Sequence, residues 1–483
     1  MRNSKSTVIG GERPLLDVRS VLGLQIIAAR RIVTGLCRVW RQHRSPQGFP
    51  KRRLFRSQVL TNCVKVIIVS LHNPLLKRLA KTVLFSALAL FGALIVCEVL
   101  LHLASFTSPR AKLLLAPPWD QEAAVAIPDS RLGHRPNPAL AEHDQFGFRN
   151  GAYLDVAEIV ALGDSQTYGH GVPPSQAWPQ QLAKQLDLPV YNMGFGGFGP
   201  LHCLRLWDEA VKKRPSLIIF AFYAGNDLYD SYSLAYQRSV DREEIQQLLR
   251  PELLETSAED PFRELVIDAK PSGVRTFNSA PKALLSDHSA VYGLLRRIRH
   301  FAQQQARNAG TDQAWKRSLS YAAKFVPEHD IFEADGFRTI FRPRYRFQAL
   351  NLDDARIQAG YDIAMFSILA MAEKARNENC EFLVLFLPTK EFVFRSRNAR
   401  PSIEYQLLIK AEQEMWKRTA QVLTEESVPH LDLAQALERM LDRGTSPYPI
   451  DHDGHFNEVG YAIVAQEVAA YVQTTRKLTA DTE

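Results

Sequence analysis

From Thr82 to Phe106 the chain reads TVLFSALALFGALIVCEVLLHLASF, an apolar run interrupted only by Glu98 and His102. As a helix it would span about 37 Å, which crosses a bilayer. We therefore expect a transmembrane helix over residues 79–105. The run starts far from Met1 and no small-residue cleavage site follows it, so it reads as a retained anchor rather than a signal peptide. Glu98 lies in the last third of the span, where it can reach the interface or a partner.

Charge then sets the orientation. Residues 1–81 hold seventeen Lys or Arg against two acids, Glu12 and Asp17, a net +15 that leaves −8 on the rest of a chain whose total is +7. Lys77, Arg78 and Lys81 precede the span closely, whereas only Arg110 and Lys112 follow it. The positive-inside rule puts the N-terminus in the cytoplasm. The expectation is a single-pass protein of the inner (cytoplasmic) membrane with its main domain on the periplasmic or extracellular side.

Residues 1–78 form a basic cytoplasmic tail in which 21–40 and 64–76 could be short amphipathic helices on the inner leaflet. No recognisable nucleic-acid module accompanies the charge, so the membrane, not nucleic acid, is the expected partner. Residues 106–140, with Pro109, Pro117, Pro118, Pro128, Pro136 and Pro138, read as a stalk. Of five cysteines only Cys203 and Cys380 follow the anchor, which permits one disulfide or two buried thiols.

Beyond the stalk, short apolar runs at 159–162, 189–193, 217–223, 382–387 and 428–433 alternate with helical stretches at 176–186, 201–213, 355–377, 404–424 and 458–473. That alternation predicts an α/β domain over 141–475, a parallel sheet flanked by helices. The interval from about 228 to 347 breaks the rhythm, is rich in charge and holds a good helix at 290–305. It reads as an inserted cap.

Four segments carry chemistry, and three of them directly follow an apolar run: Gly163-Asp164-Ser165, the glycine-rich 192–199, and Gly225-Asn226-Asp227. Open α/β sheets place their ligands at such strand ends. The fourth, Asp451-His452-Asp453-Gly454-His455, precedes the last helix and puts carboxylate and imidazole on one loop, as a base with its orienting group requires. Neither a dinucleotide fingerprint nor a phosphate-loop lysine is present, and the His and Cys spacing is not of the zinc type, so no cofactor and no metal are expected.

In this order the four segments resemble the SGNH/GDSL hydrolase superfamily, whose fold is a flavodoxin-like parallel sheet. The resemblance implies Ser165 as nucleophile and His455 as general base. It also implies an oxyanion hole made by the backbone of Ser165 and Gly197 and the side chain of Asn226. Segment 143–150 (HDQFGFRN) looks like the Gly-Phe-Arg-Asn segment of anchored bacterial members. The family commonly places its aspartate three residues before the histidine, but His452 stands there, so the acid is Asp453 or Asp451. Gly454, by permitting a tight and even left-handed turn, favours Asp453. The Asp-x-His spacing, with a Pro-x-Lys segment at Pro388–Lys390, resembles polysaccharide O-acetyltransferases related to alginate acetylation, although there the pair precedes the serine.

The expected function is a membrane-anchored serine esterase acting through an acyl-serine intermediate on an acyl, chiefly acetyl, ester of an envelope glycan, lipid or small molecule. A polysaccharide O-acetyltransferase would use the same residues. An inactive glycan-binding scaffold is disfavoured by the joint presence of Ser165, Asn226, Asp453 and His455. His170 and His202 read as surface or core-edge residues, and Trp178, Phe195 and Phe198 as packing or pocket wall. Lys390 reads equally as an anion contact or a solvated lysine.

Overall fold

The computed structural model describes residues 74–108, 125–238, 240–255, 289–324 and 329–480. The basic tail, the first part of the expected stalk and a stretch of the expected cap lie outside the described residues.

The first described helix, α1 (Pro74–Thr107), contains one segment, Lys81–Thr107, long and apolar enough to cross a membrane. Its apolar side chains are exposed, among them Leu90, Phe91 and Leu100.

After α1, the strands described are, in chain order, β1 (Ala126–Asp129), β2 (Gly133–Pro136), β3 (Ile159–Gly163), β4 (Val190–Asn192), β5 (Leu217–Tyr223), β6 (Asp330–Ala334), β7 (Phe337–Phe341), β8 (Glu381–Leu387) and β9 (His430–Asp432). β3, β4, β5, β8 and β9 form one parallel sheet in the order β4-β3-β5-β8-β9. This is an open parallel α/β sheet, with the strand order reversing beside β3. The central strands are buried on both faces, which is why they read as unbroken apolar runs.

Alternate side chains serve two cores. Val160, Leu162, Phe220 and Phe222 face the helices Pro200–Val211 and Ala355–Asn377; Ile159, Ala161, Ile219 and Tyr223 face Trp178–Leu186 and Glu458–Ala480. Burying such side chains is worth about 1.5–3 kcal/mol each, which fixes the strand register and with it the sites at the strand ends.

Two expectations change in detail. Residues 125–140 were expected in the stalk, yet Ala126–Pro136 forms an antiparallel hairpin whose turn residue Leu132 is buried in the core. Pro128 and Pro136 are compatible with strand because a two-stranded ribbon leaves backbone positions without a ladder bond. The interval 228–347 is also less separate than expected: Leu228 and Tyr232 pack in one core, and Phe332, Phe337 and Phe341 of the β6–β7 hairpin pack in the other. Cys203 and Cys380 are free thiols.

Candidate active site

Strand β3 ends at Gly163, whose φ of +151° excludes most other residues; a Cβ there would meet Thr167 Oγ1 at 2.3 Å and the Ala221 carbonyl at 3.0 Å. The chain then turns directly into a short helix, Ser165–Tyr168, capped by Asp164, whose side chain accepts from the Gln166 amide at 2.9 Å. Ser165 is thereby held at the C-terminal end of the sheet, half-buried.

The loop 451–455 arrives from the other end of the chain. His455 Nε2 lies 2.8 Å from Ser165 Oγ, and His455 Nδ1 lies 2.6 Å from Asp453 Oδ1. Asp453 Oδ1 also accepts from the His455 amide at 3.0 Å, so one carboxylate oxygen fixes both the ring and its backbone. Burial works against the Asp453 charge, but His455, its hydrogen bond, His170 and Arg307 hold the carboxyl well below its ordinary range. An ionised carboxylate only accepts, so Nδ1 carries the proton and Nε2 faces the serine as acceptor. Ser165 Oγ also lies 3.2 Å from Asp164 Oδ2, a longer contact to a carboxyl that burial pushes up.

Several groups hold this loop. Gln166 Nε2 donates to the Gly454 carbonyl at 3.0 Å, and the Phe456 amide donates to Gln166 Oε1 at 3.3 Å. Lys390, fully buried, donates to the carbonyls of Asp451 at 2.7 Å and Asp453 at 3.0 Å. It is thus neither a solvated lysine nor free to meet an anionic substrate. Burial pushes its ammonium down to about 8. Arg307 reaches Asp451 Oδ2 at 3.2 Å and Asp453 Oδ2 at 3.1 Å. Gly454 is absent from the residues with positive φ; its lack of a Cβ instead admits Arg346, whose Nη2 would lie 2.5 Å from one.

The other residues expected to form an oxyanion hole follow β4 and β5. Gly196 lies against Ser165: a Cβ on it would be 3.9 Å from that of the serine. Gly197 has φ +77° and faces the ring of His134. His134, whose charged form burial disfavours, donates from Nε2 to the Gly196 carbonyl at 3.1 Å, so the β1–β2 hairpin sets the orientation of this glycine turn. Asn226 follows β5, and its Nδ2 donates to Asp230, whose carboxyl burial pushes up to about 7. The second hydrogen on Nδ2 is left to point elsewhere.

His170 was read as a surface or core-edge residue. Its ring is exposed on one side, yet its centroid lies 4.3 Å from that of His455. The charge of His455 and then burial push it down to about 4. Arg149, from the Gly-Phe-Arg-Asn segment, secures the backbone around it by donating to the carbonyls of Gly169 at 2.7 Å and Val172 at 2.8 Å. His202 caps its own helix by accepting from the Gly199 amide at 3.1 Å, and Trp178, Phe195 and Phe198 are buried packing residues. His170, Asp453 and His455 offer ligand atoms within 4.8 Å of one another. Both nitrogens of His455 are engaged by Asp453 and Ser165, so a cation there would compete with those bonds.

Arg149 lies in the Gly-Phe-Arg-Asn segment that the sequence singles out, but the partners of Arg149, His134 and Arg307 could not be found from local sequence. Each acts across a gap of tens to more than a hundred residues, and no spacing rule connects such partners.

Residues 161–339 match the model of the GDSL-like Lipase/Acylhydrolase family. Among solved structures, an acetylxylan esterase from Geobacillus stearothermophilus is 10% identical, with 65% of this chain and 93% of that one covered at a TM-score of 0.30. A GDSL-like lipase from Bacteroides thetaiotaomicron is 9% identical over 66% and 88% of the two chains, TM-score 0.28. A lipase/acylhydrolase from Enterococcus faecalis is 13% identical over 65% and 96%, TM-score 0.27. No match is found among curated proteins. The family match ends at residue 339, so the loop bearing Asp453 and His455 lies outside it.

Proposed function

Because residues 161–339 match the GDSL-like Lipase/Acylhydrolase model, we propose that the chain is a membrane-anchored serine esterase of the SGNH/GDSL type with Ser165 as nucleophile, His455 as base and Asp453 as orienting acid. The observation that carries this reading is the pair of hydrogen bonds, 2.8 and 2.6 Å, that links three side chains from two distant loops in the order a nucleophile, a base and an acid require.

Ser165 Oγ attacks the ester carbonyl as His455 Nε2 takes its proton. Asp453 keeps the ring in the tautomer that can accept and stabilises the imidazolium that forms. The oxyanion is held by the backbone amides of Ser165 and Gly197 and by the Asn226 side chain. Removing one such donor costs about 3 kcal/mol of barrier. The imidazolium then protonates the leaving alcohol, giving an acyl-serine that water cleaves by the same route.

The apolar helix Lys81–Thr107 supports anchoring, and the charge asymmetry across it supports a domain outside the cytoplasm acting on an acyl, chiefly acetyl, ester of the envelope. If a sugar hydroxyl replaces water as acceptor, the same residues perform O-acetyl transfer. The support for that second reading is the Asp-x-His spacing together with Lys390 seated beneath the loop. A water-soluble aryl acetate should be hydrolysed by the wild type and not by Ser165→Ala. Adding a glycan acceptor then separates the two fates of the acyl group: free acetate at an unchanged rate supports the esterase, and acetylated glycan supports the transferase.

A further inference from the structure

We propose that the helix Ala290–Asn308, termed here the cap helix, is an interfacial helix docked on an anionic lipid bilayer, and that the site takes an ester presented at that surface. This rests on the anchored-esterase reading and narrows its substrate.

The cap helix has two unlike faces. Leu295, Ile298 and Phe301 are exposed at 59%, 58% and 53%, a stripe at helical spacing, and Arg296 and Arg299 stand exposed beside it. Three large apolar side chains bordered by arginines suit the boundary between acyl chains and phosphate headgroups: the apolar groups enter the first few ångströms of hydrocarbon while the guanidiniums pair with phosphate. The other face meets the protein. Gln304 Nε2 donates to the Gly171 carbonyl at 2.6 Å, and Arg307 pairs with Asp451 and Asp453.

What covers the stripe is indicated by Glu98 of α1, which lies in the outer part of the membrane-crossing segment. Its carboxylate accepts from Ser289 Oγ at 2.9 Å, from the Val291 amide at 3.1 Å and from the Ala290 amide, and so serves as an anionic cap on the first turn of the cap helix. The cap helix thus starts beside the last third of the membrane-crossing segment, so the apolar phase adjoining its stripe is the bilayer. Seventeen residues at about 1.5 Å each separate Ala290 from Arg307, so the catalytic loop lies about 25 Å along the helix from that point. Between the cap helix and the body a cavity of about 560 Å³ is lined by Tyr168, His170, Val172, Phe301 and Gln304. His170 packs on His455, which places the cavity beside the reacting pair. A surface-held acyl chain thereby has room on the His170 side of that pair.

The test uses the full chain reconstituted in phosphatidylcholine vesicles with and without phosphatidylglycerol. Two aryl esters are compared, one water-soluble and one bearing a long alkyl chain that partitions into the bilayer. Leu295→Gln combined with Ile298→Gln should lower turnover of the bilayer-held ester at least about tenfold and leave the soluble ester within about twofold. Arg296→Gln combined with Arg299→Gln should remove the stimulation of the wild type by phosphatidylglycerol. The anchor is intact in every variant, so the difference reads helix docking rather than attachment. Equal losses on both esters, no loss on either, or no response of the wild type to phosphatidylglycerol overturns the proposal. A Ser165→Ala variant as active as wild type on the soluble ester instead removes the esterase reading, and this inference with it.

Discussion

Asp453, and not Asp451, meets the His455 ring: Asp453 Oδ1 lies 2.6 Å from Nδ1, while Asp451 Oδ1 accepts the Asp453 backbone amide at 3.0 Å. One carboxylate orients the imidazole, and the other shapes the loop that holds the first.

Asp453→Asn should therefore lower kcat for a small acetyl ester by at least about a hundredfold, because an amide at that position favours the wrong tautomer. Asp451→Asn, which keeps an acceptor for the Asp453 amide, should cost less than about tenfold. Steady-state kinetics on both variants, with circular dichroism to verify folding, decides the assignment; the reverse ranking transfers the acid role to Asp451.

The pH profile follows from the shifts around the base. Asp453 is held well below its ordinary range and His170 is pushed down to about 4, so both keep one protonation state above about pH 5. Neither therefore adds a proton to the acid limb of log kcat/KM over that range, which should fall with a slope of one if the base alone must lose a proton. A slope of two between about pH 5 and 7 would mean that a second group must also lose a proton for activity.

Lys390 is expected to act on the loop from beneath. Lys390→Met leaves two carbonyls, of Asp451 and Asp453, without their donor, which should cost about 1–3 kcal/mol of stability at neutral pH and reduce kcat more than it changes KM. The sign with pH is defined by the depressed value. Between about pH 8 and the unfolded value of about 10.4, the unfolded chain binds more protons than the folded one, so the lysine's desolvation penalty is relieved as pH rises. The stability of wild type relative to Lys390→Met should thus increase across that window in denaturant titrations. A constant difference would mean that the ammonium is not desolvated.

How far these features were legible in the sequence varies with the range of the interaction. The strands of the five-stranded sheet were readable because parallel strands buried on both faces leave apolar runs, and each of these five lies within one or two residues of its run. The four chemical segments were readable because they sit at strand ends or on one short loop. The hairpin Ala126–Pro136 was masked by Pro128 and Pro136, which normally argue against strand. Gly454 was read as a turn residue, whereas the structure uses its missing Cβ to admit Arg346. Lys390 was equivocal because its partners are carbonyls sixty residues away, invisible to side-chain patterns. His170 escaped because packing against His455 needs the two ends of the domain brought together.

The central claim is a covalent one, and mapping the acyl or phosphonyl adduct on the intact protein tests it most directly. After reaction with a fluorophosphonate, peptide mass spectrometry should find a single adduct on Ser165, absent from Ser165→Ala and strongly slowed in His455→Ala. An adduct on another residue, or undiminished labelling of folded Ser165→Ala, would contradict the account.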